Sequence, residues 1–162
     1  QALAASSALA VLHGLAEQIK TVETRVRTRI QSTPLYELLQ TVDGIGPILA
    51  QSILLETGDI GRFPSGGDYA SNCRCVDSTK VSNGKRKGQG NVKNGNPYLA
   101  WAYAEAAHFA RRFNLKVQRY YQRKQAQTNV TVAHKTVAHK LARACYHMMR
   151  HQAPFEAAKA FG

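Results

Sequence analysis

The chain has 162 residues, 44% of them hydrophobic, and carries 22 Lys/Arg against 10 Asp/Glu for a net charge of +12. That length supports one domain with its own core and an appendage. The apolar content excludes a disordered chain, and the lack of a long apolar run excludes a membrane span. The charge is unevenly spread: residues 1–77 hold six Lys/Arg and eight Asp/Glu, whereas residues 78–155 hold fifteen Lys/Arg and one acid, Glu105. Such a split costs self-repulsion, which a polyanion offsets by releasing its counterions.

Residues 2–31 read as one helix. Leu12, Leu15, Ile19, Val22 and Val26 alternate spacings of three and four, the pattern of a heptad seam. The seam serves either self-association, giving a dimer, or packing of an amphipathic helix on its own domain. Ser32-Thr33-Pro34 stops that helix and starts a short one over Leu35–Thr41. The run T-V-D-G-I-G-P-I-L-A-Q-S-I-L-L-E-T-G (41–58) then places a Gly44–Gly46 turn before Pro47, at the first position of a further helix. This is a helix-hairpin-helix outline. Amides at Gly44 and Gly46 suit a phosphate oxygen, and the same geometry also suits a plain helical-hairpin turn.

Residues 58–96 hold eight of the twelve glycines and read as a long polar, basic loop, in which Asn83-Gly84 suits the turn of a short hairpin. Asn96-Pro97 starts a helix, with Leu99, Ala102, Tyr103, Ala106, Phe109 and Phe113 as one apolar face. Its alanines imply a close helical neighbour. Lys116–Lys124 is helical, with Val117, Tyr120 and Tyr121 inward and Arg119 and Arg123 outward. A last helix runs from about Asn129 to His151, with Val130, Val137, Leu141, Ala144, Cys145 and Met148 on one side. The fold class expected is mainly α.

Cys73, Cys75 and Cys145 are an odd set without zinc-site spacing, so they read as reduced thiols of a cytosolic protein. His134 and His139 are five apart and do not share a helical face. His147 and His151 do, yet lack acidic or thiol partners for a metal. No Ser-His-Asp order is legible, and acids are too scarce in the basic half for two-metal catalysis. What remains is Ser82, followed by Asn83-Gly84 and Lys85-Arg86-Lys87. Cations there would stabilise charge during attack on a phosphodiester. By spacing alone, such a serine more commonly hydrogen-bonds a turn or a phosphate.

Several blocks together resemble the C-terminal domain of the DEDD-type insertion-sequence transposases, the family that includes the pilin-gene invertase and the bridge-RNA-guided recombinases. They are L-L-Q-T-V-D-G-I-G-P-I-L-A (38–50), L-L-E-T-G-D-I-G-R-F-P-S (54–65), Y-A-S-N-C-R-C-V (69–76), V-S-N-G-K-R-K-G (81–88) and V-K-N-G-N-P-Y-L-A-W-A (92–102). The resemblance implies a preceding RNase H-like domain with a Mg2+-binding acidic tetrad, then a coiled coil, then this domain. The chain begins at Gln1 and is accordingly expected to be a piece lacking that domain and inactive alone. The resemblance also implies a serine nucleophile that forms a transient phosphoserine link to DNA. Ser82 occupies its place, with S-N-G-K where the family has S-G-G-K, and Ser78 is the nearby competitor.

The expectation is a coiled-coil helix over 1–33 and a transposase domain over 34–162, with the helix-hairpin-helix at 35–57. Ser82 is the candidate nucleophile; Gly44, Gly46, Lys80, Lys85, Arg86, Lys87, Lys93, Arg111 and Arg112 are candidate nucleic-acid contacts. No metal or cofactor is expected on this chain. The expected partners are DNA, a guide RNA and further copies of the chain, in a bacterial cytoplasm and away from any membrane. The alternatives are a non-catalytic helix-hairpin-helix binding module and a dimerisation piece.

Overall fold

The computed structural model describes residues 2–76, 79–89 and 94–162; the side chains of residues 2, 3, 79–81, 86, 88 and 89 are outside the description. The described chain divides into two units, residues 1–34 and 35–162. The first is helix α1, Ala2–Gln31. At 1.5 Å per residue it is about 45 Å long. Its seam residues Leu12, Leu15, Ile19 and Val22 are all more than half exposed. Thr21, Thr24 and Thr28 each donate a hydroxyl to the carbonyl four residues back, which suits threonine to a helix surface.

The second unit is mainly helical, as its periodicity predicts: α2 (Pro34–Gln40), α3 (Pro47–Thr57), α4 (Gly66–Asn72), α5 (Pro97–Phe113), α6 (Leu115–Gln127), α7 (Val130–His151) and α8 (Ala157–Phe161), with a 3-10 turn at Ile60–Arg62. The helix starts follow local chemistry. Asn96, Asn114 and Asn129 accept the first free amides of α5, α6 and α7 through their side-chain oxygens. Pro47 and Pro97 open α3 and α5, where no amide is needed.

The core forms where α5 lies against α3 and α7, with α6 and α4 also packed on α7. Ala102, Ala106, Ala107 and Ala110 of α5 are fully buried with Leu99 and Tyr103. Small side chains let neighbouring backbone come close. At the α2–α3 turn, a Cβ on Gly44 would lie 2.5 Å from the Ala106 carbonyl oxygen and from the Ala110 nitrogen, and its φ of +98° is one that side chains disfavour. Glycine is required there by sterics on both counts.

A chain of hydroxyls runs through this core. Thr57 Oγ1 is 2.8 Å from Tyr69 Oη, which is 2.9 Å from Tyr103 Oη, and all three residues are buried. Each hydroxyl therefore has a partner, as burial demands. Burial pushes both tyrosines well above their ordinary pKa, with Cys73 adding to it at Tyr69 and Cys145 at Tyr103. Burial likewise raises Cys75 and Cys145 to about 12, so the thiols are protonated and inert.

Three expectations change. The segment 58–96 is not one long loop. Ser65 caps α4 by accepting the Asp68 amide while donating its hydroxyl to the Asp68 carboxylate. Phe109 and Phe113 do not belong to the buried face of α5: they are 37% and 68% exposed, stacked on each other at 6.4 Å. Val130 is exposed rather than buried. The hairpin at Asn83-Gly84, in contrast, forms as expected.

Candidate nucleic-acid interface

Two short antiparallel strands, β1 (Thr79–Ser82) and β2 (Lys85–Gln89), make an arm between α4 and α5. Its turn is two residues, Asn83 and Gly84, with φ of +51° and +72°. Two positive φ values define the mirror-image turn whose twist matches that of paired strands, and Asn-Gly is the sequence that adopts it most readily. Ser82 and Lys85 face each other as the last cross-strand pair before the turn. Val81 pairs with Arg86 and Lys80 with Gly88, so Lys87 is the extra residue of a bulge. Ser82, Asn83, Gly84, Lys85 and Lys87 are all exposed.

The root of the arm is fixed. The Cys75 amide donates to the Ala70 carbonyl at 3.0 Å and the Asn96 amide to the Asn72 carbonyl at 2.7 Å. Arg74 donates through Nη2 and Nε to the Gly95 carbonyl at 3.0 and 3.3 Å. Asn96 Nδ2 donates to Glu56 at 2.6 Å, tying the start of α5 to α3. These bonds fix the chain on either side of the arm, whose two-residue turn carries a serine with a lysine across from it.

The predicted contacts divide into separate places. Ser82, Lys85 and Lys87 share the tip of the arm. The backbones of Lys80 and Arg86 lie in the same strands, while Lys93 and the competitor Ser78 lie outside the described residues. Arg111 and Arg112 occupy the last turn of α5, about 22 Å along the helix from Asn96 at its usual rise. Arg111 lies over the Tyr121 ring at 4.9 Å and contacts His108 Nδ1 at 3.3 Å, so it also braces α6. Arg112 lies over Phe113 at 5.9 Å.

The Gly44–Gly46 turn, expected to suit a phosphate oxygen, is also a packing contact. Gly44 is pressed on α5, and the Ile45 amide is taken by the Val42 carbonyl at 2.9 Å. The groove of about 620 Å³ beside it is walled by Pro47, Ile48, Trp101, Phe109 and Phe113, and its only charged lining residues are Asp43 and Glu105. Packing against α5 by itself requires glycine at position 44.

One side of α7 aligns an exposed arginine with three histidines. His139, Arg143, His147 and His151 repeat every four residues and so share one face. His139 is held below its ordinary pKa by burial first, then by Arg143 and Lys140. Lys140 is lowered by burial and then by Arg143, Lys124 and Arg123. Burial is the main cause of both shifts, and the neighbouring cations add to it. Among the described residues no three His, Cys, Asp or Glu come together as a metal site, and no helix is long and apolar enough to cross a membrane.

A search of the curated proteins gave no match. The family model described as the transposase IS116/IS110/IS902 family matches residues 36–122, from α2 through the hairpin arm and α5 into α6.

Proposed function

This chain belongs to the transposase IS116/IS110/IS902 family, and from that premise we propose that it is the nucleophile-bearing, nucleic-acid-binding domain of a site-specific recombinase that moves an insertion sequence. Family membership makes transposition the process and DNA the partner. The finer assignment gives Ser82 the attacking hydroxyl and gives Lys85 and Lys87, with Lys80, Arg86 and Lys93, the phosphate contacts.

The observation that carries this reading is the tip of the arm: an exposed Ser82 directly across the strands from Lys85, on a two-residue turn. Attack by Ser82 Oγ forms the Oγ–P bond and breaks a bond from phosphorus to a sugar oxygen. The hydroxyl proton is lost, and the leaving oxygen departs as a sugar hydroxyl. Lysine ammonium groups beside the phosphate stabilise the charge on its oxygens as the reaction proceeds. The phosphoserine ester keeps the bond energy needed to rejoin strands. The described residues do not fit a divalent metal, so the Mg2+-dependent part of the reaction falls in this reading to a separate acidic domain.

The cationic face of α7 supports a second nucleic-acid contact, to the DNA or to a guide RNA, and the exposed seam of α1 supports assembly as a homodimer or larger homo-oligomer. The nucleophile is tested with the intact recombinase and a nicked target duplex as suicide substrate. A covalent protein–DNA adduct is expected in the wild type and in Ser78→Ala, and none in Ser82→Ala. Loss of the adduct in Ser78→Ala but not in Ser82→Ala overturns the assignment.

A further inference from the structure

A cavity of about 420 Å³ opens between the outer face of α7 and the chain that returns across it. Gln152, left-handed at φ +50°, ends α7 and turns the chain back. The return is anchored by Phe161, which is buried with its ring edge-on to Tyr120 at 5.4 Å, and by Lys140 Nζ, which donates to the Ala160 carbonyl at 2.6 Å. The cavity is thus built by long-range contacts and has a size usual for a small-ligand site.

Its lining divides by chemistry. Arg143, His147 and His151 stand on the α7 side, the two imidazoles stacked at 6.0 Å and 8°. Met148, Pro154 and Phe155 supply the apolar wall. The one acid in the lining, Glu156, is paired with Lys159 at 2.7 Å. Lys140 is occupied by Ala160 and lies over the Tyr120 ring at 4.9 Å. Arg143, His147 and His151 make no hydrogen bond or ion pair with another described residue, so their polar atoms remain available to a ligand.

A duplex presents convex phosphate ridges with its bases stacked inside, and such a ridge has no use for a recess with an apolar wall. A flat ring attached to an anion matches both parts of the lining. Aromatic rings and imidazoles take the face of a base, and a guanidinium takes the phosphate. We propose that this cavity holds one unpaired nucleotide of the bound nucleic acid, its base against Phe155 and Pro154 and its phosphate at Arg143 beside His147 and His151. The proposal rests on the nucleic-acid-binding reading above and adds a preference for unpaired over paired strands. The nucleotide comes from a guide RNA or from an unpaired DNA strand, sources that share this chemistry.

The test uses the whole chain with short single strands carrying 2-aminopurine, made as RNA and as DNA, and a blunt duplex of the same length. Binding is read by anisotropy and stacking by quenching of the 2-aminopurine. Tighter binding of single strands than of duplex is expected, with quenching. Arg143→Gln and Phe155→Ala should each weaken single-strand binding about tenfold, and each by clearly more than they weaken duplex binding. Arg143→Gln should also reduce the slope of log affinity against log salt by about 0.7 on single strands. Arg143 is exposed, so its variant decides the matter if Phe155→Ala lowers the unfolding midpoint. The RNA or DNA arm with the deeper quench identifies the donor strand. Equal losses on single strand and duplex, or no loss on either, overturn the cavity assignment while leaving general nucleic-acid binding intact. Absence of binding to every strand by the wild type refutes the broader reading, and the cavity with it.

Discussion

Two glycine turns in this domain look alike in sequence and do opposite things. Both contain a glycine at positive φ, Gly44 at +98° and Gly84 at +72°. Around Gly44 the space is filled: backbone atoms of Ala106 and Ala110 stand 2.5 Å from where a Cβ would be. Around Gly84 nothing lies within 4 Å of that point. The first turn lets α5 approach the α2–α3 hairpin. The second presents a serine and lysines to solvent. A glycine's backbone conformation therefore does not say whether a turn grips a ligand; what faces its Cα does.

The comparison is sharpest in its largest consequence. Gly44→Ala should destabilise the domain by about 3 kcal/mol, from overpacking against α5 added to the strained φ. Urea unfolding measures this, and a loss under about 1 kcal/mol would mean that the two backbones are not in contact. Tyr103→Phe tests the core beneath that contact. It removes one member of the hydroxyl chain but leaves Tyr69 bonded to Thr57, so about 1 kcal/mol is expected in the same measurement. Gly84→Ala should cost about 1 kcal/mol or less, since only the left-handed backbone is penalised. A cost equal to that of Gly44→Ala would erase the distinction between the turns.

The smallest expected effect is that of pH. Burial, followed by Arg111, holds His134 below its ordinary pKa, and burial, followed by Arg143, does the same for His139. The unfolded chain then binds protons at higher pH than the folded one. Stability from these groups is complete above the ordinary value of 6.5 and is lost as pH falls from there toward their lowered folded values. A small fall in the melting temperature between pH 7 and pH 5, reduced in His134→Gln, is the expected reading. Both residues are only partly buried, which keeps the effect modest.

Much of this fold was legible because helix starts are written in neighbouring residues. Asn96-Pro97 and Asn129 act within one turn of themselves, and Asn83-Gly84 encodes its own reversal. The helix α4 was also written, in Ser65 and Asp68, but Gly66 and Gly67 between them disguised it as loop. Other features depend on contacts that no local pattern holds. Phe109 and Phe113 continue the apolar spacing of α5, yet no described residue packs over them to bury them. That Gly44 meets a helix was set by Ala106 and Ala110, more than sixty residues away. The pocket over α7 depends on Phe161 reaching Tyr120 from α6. The basic charge of the second half was plain in the sequence; its division among the arm, the end of α5 and the α7 face was not.

The hairpin arm, finally, behaves as a ruler. Its tip is a two-residue turn, so among the described residues the strands Thr79–Ser82 and Lys85–Gln89 set how far the tip stands beyond the far end of the ladder. Two residues added to each strand would carry Ser82 about 7 Å farther and leave it on the same face. One residue added to each would turn it to the opposite face, unless a second bulge like that at Lys87 absorbed the change. Reach in this domain should therefore vary in even steps, so that chains with arms of different length but the same turn would address strands at different depths with the same chemistry.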